Sequence, residues 1–315
     1  MMIDRAANGT ASSRTGFSMS ELLVVISILS ILLSLTLPAV QRVRERGRLN
    51  ECQNKGRQLG LALQNFESTH SRYPSDGWGW GWVGDAQQGG HSGLDGPGGW
   101  IHHLLPFLEL QELWELTKTR KGRDAAIQQS VGIVTCPSRR DAVPYPYTLL
   151  VVPLRNADTP TLGSRSDYAI CAGDRIISIG PGPNTVELLA SYPFPNKTLY
   201  SGISFVRSNI SSRDVFDGTS TTLAISEKLV IPLHYHTGQS LGDDQSILIG
   251  DDADIRRWTH FAPLWDYSQI DDVERFGSAH DVGVTSVNCD GSVHTIDYAV
   301  DLQVWKSLGN RADAD

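Results

Sequence analysis

The chain has 315 residues, a formal net charge of −8 and 40% apolar residues. That length supports one large domain or two smaller ones with a substantial core. The acidic balance argues against a nucleic-acid partner, because phosphate contact requires clustered Lys and Arg.

In chain order, the first strong signal is residues 22–40, an apolar run without a charged residue. At about 1.5 Å per residue it spans roughly 28 Å, close to the hydrocarbon thickness of a bilayer. It is long for the core of a secretory signal peptide, and no small-x-small cleavage site follows it. A plain membrane anchor is an alternative reading. Just upstream stands Arg14-Thr-Gly-Phe-Ser-Met-Ser-Glu21. A lone carboxylate at the edge of an apolar span marks a functional site by default. Glu21 is the fifth residue of a chain that would begin at Phe17. A free amine there would be cationic near neutral pH and would suit Glu21 of a neighbouring subunit. Arginine counts alone, with Arg5 and Arg14 upstream and Arg42, Arg44, Arg46 and Arg48 downstream, point the carboxyl side toward the cytoplasm. Glu45 and Glu51 interleave the downstream arginines, which also suits a solvated helix face.

Helical periodicity continues from Gln41 to about His70. Leu49, Cys52, Leu59, Leu63 and Phe66 form one stripe, widened by Leu61 and Ala62. A helix from Phe17 to His70 would be roughly 80 Å long, and Pro74 with the following glycines ends it. Residues 75–99 are rich in Gly and Trp. They read as a surface loop, with an aromatic ligand platform as the alternative. Residues 100–116 read as an apolar helix in which His102 and His103, being adjacent, share no face and are structural or exposed.

Beyond residue 130 short β-like runs are expected at 132–135, 147–152, 168–171, 203–206, 222–226, 284–288 and 293–296, in a largely antiparallel sheet. The last two predict a hairpin turning at Asp290-Gly291. Cys52, Cys136, Cys171 and Cys289 form no CxxC pair, so a thiolate zinc site is not expected. An even set fits disulfides in an exported domain, with three possible pairings. His280 with Asp290 is a candidate metal or catalytic pair, against a hairpin-defining role for both. His234 and His236 could share a strand face. Asp243, Asp244, Asp251, Asp252 and Asp254 surround Gly250. They match no EF-hand, so the expectation is a solvated loop and no cofactor, with calcium as the ion such oxygens would take. No nucleophile elbow, P-loop or H-E-x-x-H occurs, and no enzyme activity is expected.

The Gly16-Phe17-x-x-x-Glu21 arrangement with its apolar helix resembles the prepilin cleavage and methylation motif. The resemblance implies cleavage after Gly16 by a prepilin peptidase, N-methylation of Phe17 and use of Glu21 in subunit register; because that peptidase needs the leader inside, the motif overrides the arginine count and puts the carboxyl side outside the cytoplasm. Pro38 falls at position 22 of the processed chain, where pilins commonly carry a proline. Further pieces occur in order: Cys52-Gln-Asn-Lys, Leu59-Gly-Leu-Ala-Leu-Gln-Asn-Phe, Arg72-Tyr-Pro, Trp100 through Leu105-Pro-Phe-Leu, Cys136-Pro-Ser, Ser166-Asp-Tyr-Ala, Asp217-Gly-Thr-Ser, and Phe276-Gly-Ser-Ala-His280 through Asp290-Gly291-Ser-Val-His294. This series resembles the prepilin-type proteins that carry domain of unknown function 1559. Against that family Cys171 and Cys289 stand where small residues are more usual, so a Cys171–Cys289 disulfide is a hypothesis. Cys52–Cys136 is then the complementary pair, clamping helix to head.

The expected whole is a pilin-like α+β protein. A leader (1–16) precedes a transmembrane and stalk helix (17–70), then a mainly antiparallel β-rich head (71–315). The implied role is a pilin or pseudopilin of a type II secretion or pilus-like system. It would cross the inner membrane once, with the head in the periplasm or cell exterior. Its expected partners are the membrane, the peptidase and like or related pilin subunits. The rivals are a tethered solute- or glycan-binding module and, last, an extracytoplasmic enzyme.

Overall fold

The computed structural model describes residues 18–88, 96–148, 153–177 and 180–313. The expected cleavage position at Gly16 and Phe17, the leader, and part of the strand expected at 147–152 lie outside them. The chain divides into two compact units, one ending at Gly47 and one from Arg48 onward.

Helix α1 (Met19–His70) runs through that division and contains Pro38 without interruption. Its start is set locally. The Glu21 N–H donates to Ser18 Oγ at 3.2 Å and the Ser18 N–H donates to Glu21 Oε2 at 2.8 Å. This reciprocal capping box satisfies backbone donors that a helix end leaves without partners.

From Arg48 onward α1 is part of the head. It buries Cys52, Gly56, Leu59, Gly60, Ala62, Leu63 and Phe66, a stripe at helical spacing. Leu61 is 62% exposed and leaves the expected stripe, whereas two glycines join it. A Cβ on Gly60 would stand 2.8 Å from the Gly291 carbonyl oxygen, so only glycine lets the helix lie this close to the hairpin.

The main sheet has strand order β5-β3-β4-β8-β9: β3 is Tyr168–Cys171, β4 Leu223–Glu227, β5 Arg256–Arg257, β8 Val284–Asn288 and β9 Val293–Ile296. All its pairings are antiparallel except β3 with β5. Strands β3, β4 and β8 are buried along their whole length because both faces are covered. Alternation divides their side chains. Ile170, Ile225 and Val287 join the core formed with α1, while Ala169, Leu223 and Val284 pack with Trp305 of helix α5 (Leu302–Gly309). Two small pairs complete the β structure: β1 (Tyr145–Pro146) with β2 (Leu162–Gly163), and β6 (Leu264–Trp265) parallel to β7 (Gly277–Ser278). The head is thus mixed but mostly antiparallel.

The expected β8–β9 hairpin is present, closed by a three-residue loop. Asn288 N–H donates to Ser292 O at 2.9 Å, and Gly291 takes a left-handed φ of 82°.

Several expectations need correction. Residues 132–135 hold a 3₁₀ turn (Gly132–Val134) rather than a strand, and 203–206 is irregular. Its apolar residues are spent on core instead: Phe205 stacks on Tyr200 with ring centroids 4.3 Å apart. The helix expected over 100–116 is broken into α2 (Trp100–Leu104), a 3₁₀ turn through Leu108 and α3 (Gln111–Leu116). Pro106 supplies no N–H, and Glu109 turns left-handed at φ 61°. A further helix, α4 (Arg120–Ala126), follows. Described residues of the Gly/Trp segment form no surface loop. Trp78 and Trp82 are buried and meet edge to face at 4.9 Å. Gly77 and Gly79 have φ of 76° and 130°, and a Cβ on Gly77 would collide with the Pro97 carbonyl. The glycines turn the chain tightly enough to tuck both indoles inside.

Candidate functional site

The amino-terminal unit presents an apolar surface. Leu22, Leu29, Ile31, Leu33 and Leu37 are each more than half exposed, and the helix is long and apolar enough to cross a membrane. Apolar side chains surround the axis, so no single face is reserved for a soluble core. The polar side chains on this stretch are satisfied within the helix. Ser27 Oγ donates to Val24 O at 2.7 Å, Ser30 Oγ to Ile26 O at 2.7 Å and Ser34 Oγ to Ile31 O at 2.8 Å. Hydroxyls bonded back in this way add little penalty in lipid.

The head inverts this pattern by burying charge. Arg139 donates to both carboxylate oxygens of Asp266, at 2.7 and 3.1 Å, and to the carbonyls of Asp167, Lys228 and Gly277. Arg140 bridges Asp167 and Asp243, and Lys228 Nζ lies 3.0 Å from Asp243. Burial opposes the Asp243 charge, yet Arg140 and Lys228 outweigh it and hold that carboxyl below its ordinary range. The solvated acidic loop expected around Gly250 is therefore a buried network. Asp251 faces Arg256 at 3.0 Å, and Asp252 accepts from Gln245 Nε2 at 3.1 Å. Burial and the neighbouring Asp254 push Asp244 up to about 8. Asp243 faces the Arg140 guanidinium and the Lys228 ammonium, and Asp251 faces the Arg256 guanidinium. Sequence reading missed Arg139 and Arg140, although they directly follow the Cys136-Pro-Ser piece.

His280 and Asp290 have separate roles. The exposed Asp290 closes the hairpin loop, its Oδ1 accepting the Ser292 N–H at 2.9 Å. His280 is 1% exposed and faces Cys136 and Glu227. His234 ends a 3₁₀ turn rather than lying on a strand, 3.6 Å from Asp271, and His236 packs on Tyr145. His102 and His103 are buried. His102 Nε2 meets Thr117 Oγ1 at 3.0 Å, and burial lowers His103 to about 4.

All four cysteines are buried free thiols. Cys171 lies in the cluster beneath α5 and Cys289 in the core formed with α1. Cys52 and Cys136 meet, their sulfurs 3.3 Å apart. Cys136 Sγ lies 3.6 Å from His280 Nε2, which lies 3.8 Å from Glu227 Oε1. These four ligand atoms fall within 4.8 Å of one another, from residues far apart in sequence. The hydrogen bond with Cys52, with burial behind it, raises the Cys136 thiol well above its ordinary range.

A groove of about 620 Å³ lies between α1 and α3, lined by Phe66, His70, His103, Phe107, Trp114 and Lys118 among others.

Compared with family models, residues 41–303 match that described as a protein of unknown function (DUF1559). Residues 11–37 match the prokaryotic N-terminal methylation motif. No curated protein and no solved structure matches the chain.

Proposed function

Because the chain belongs to the DUF1559 family and carries the N-terminal methylation motif, we propose that it is a pseudopilin-like structural subunit of a type II secretion or type IV pilus-like assembly. A prepilin peptidase cuts between Gly16 and Phe17, and Phe17 is N-methylated. The protein crosses the inner membrane once, with its head in the periplasm or cell exterior. Related subunits pack along α1, where Glu21 receives the amine of a neighbour's Phe17. One observation carries this reading: the first part of α1 exposes apolar side chains around its axis, which only lipid or like helices can cover. The proposed role is structural rather than catalytic.

Amino-terminal sequencing of the membrane-extracted protein tests processing. Methyl-Phe17 is the expected first residue, and an intact Met1 or Met2 would overturn the proposal. A second reading, a tethered solute-binding module, draws on the aromatic-lined groove beside Phe107 and Trp114. A filament-forming role predicts that Glu21→Ala abolishes incorporation into assemblies. A tethered binder would tolerate that change and lose ligand on Trp114→Ala.

A further inference from the structure

We propose that Cys52, Cys136, His280 and Glu227 form a structural zinc site at the centre of the head. The donors come from four separate places: the head portion of α1, the loop after the Gly132–Val134 turn, the segment after β7 and the end of β4. All four residues are essentially inaccessible.

Three observations point to a cation. The first is donor chemistry: two sulfurs, an imidazole nitrogen and a carboxylate oxygen suit zinc, which takes four ligands in structural sites. The second is spacing. Zinc bond lengths imply tetrahedral edges of about 3.8 Å between sulfurs, about 3.6 Å from sulfur to nitrogen and about 3.3 Å from nitrogen to oxygen. The corresponding separations are 3.3, 3.6 and 3.8 Å, each within about half an ångström of its edge, and all four ligand atoms lie within 4.8 Å of one another. The third is an orphan. Glu227 Oε1 is fully buried and, among the described residues, has no hydrogen-bond partner, a costly state for a carboxylate oxygen.

Supporting contacts hold the donors in place. Glu227 Oε2 accepts from Ser278 Oγ and from the Thr285 N–H, each at 2.9 Å, which leaves Oε1 to turn toward His280. Asp167 Oδ2 accepts the Cys136 N–H at 2.6 Å, and Tyr168 OH donates to the Cys52 carbonyl at 3.2 Å. Zinc binding displaces the thiol protons, so affinity rises with pH. The bound ion ties α1 to the sheet without any Cys-x-x-Cys element.

The test uses the full-length chain in detergent, reduced, freed of metal and then given zinc or cobalt(II). About one zinc per chain is expected, with a thiolate-to-cobalt charge-transfer band and the intense visible bands of tetrahedral cobalt. Cys136→Ser should remove the charge-transfer contribution of that sulfur and the tight zinc. Ser278→Ala, which leaves all four donors in place, should weaken zinc about 10–100-fold in competition with a chelator. A wild-type chain that is folded by circular dichroism yet takes up neither metal overturns the proposal. So does peptide mapping of the membrane-extracted, unreduced protein that finds Cys52 and Cys136 joined as a disulfide. If Cys136→Ser fails to fold, the wild-type titration and Ser278→Ala still decide.

Discussion

Two stretches of the same helix obey opposite rules. Before Gly47, α1 exposes leucine, isoleucine and valine; after Arg48, it buries a stripe against a head whose own interior holds arginine, lysine and aspartate. The contrast shows that burial follows the partner available rather than residue type alone. Apolar side chains without a protein partner need lipid or another subunit. Charges without water need one another.

The largest expected effect comes from breaking the buried charges. Arg139→Ala removes the guanidinium that pairs with the buried Asp266, whose Oδ2 keeps the Tyr235 hydroxyl, and takes one donor from each of three backbone carbonyls; it should destabilise the head by about 3–5 kcal/mol. Thermal unfolding monitored by near-UV circular dichroism reads this, and an unchanged Tm would refute the network. Next is a pair of glycines in one helix. Gly60→Val should cost about 1–3 kcal/mol by overpacking against Gly291. Gly47→Ala meets nothing within 4 Å and should be neutral or stabilising by up to about 1 kcal/mol. Equal effects at the two positions would erase the boundary between the regions.

The dependence on pH carries two opposed signs. His103 has a folded pKa lowered to about 4, below its unfolded value, so the unfolded chain takes the proton first. Its contribution is present above the unfolded value and is lost as pH falls toward 4. Asp244 is raised to about 8, so the folded chain holds its proton longer. Its contribution is full below the unfolded carboxylate value and is lost as pH rises through 8. Stability of Asp244→Asn, measured by denaturant titration, should fall less between pH 5 and 8 than that of the wild type. An identical slope would remove Asp244 from the account.

The smallest effect sharpens the role of Glu21. Ser18→Ala removes one half of the capping box and should loosen only the first turn, by about 1 kcal/mol. If Glu21 serves between subunits, Ser18→Ala should still enter assemblies while Glu21→Ala should not. Equal failure of both variants would reduce Glu21 to a cap.

Legibility in the sequence tracked the range of the interaction. Residues 168–171, 284–288 and 293–296 are strands as expected, because alternation and a turn glycine are local signals. The Ser18-x-x-Glu21 cap is an equally local signal, two side chains three residues apart bonding each other's backbone N–H. Trp78 and Trp82 were misplaced because glycine-rich composition reads as loop, whereas the folded chain uses those glycines to reach the core. Asp243 was misplaced for a related reason: Arg140, whose guanidinium pairs with it, lies 103 residues upstream.

The amino-acid sequence by itself determined the apolar helix, the methylation motif, the family and the closing hairpin, since each depends on residues within a few turns or on motifs in fixed order. Tertiary structure alone decided which charges are buried, where α1 approaches the hairpin at Gly60, and that Cys52, Cys136, Glu227 and His280 converge. Those outcomes depend on chain crossings between distant residues, and spacing along the sequence carries no record of them.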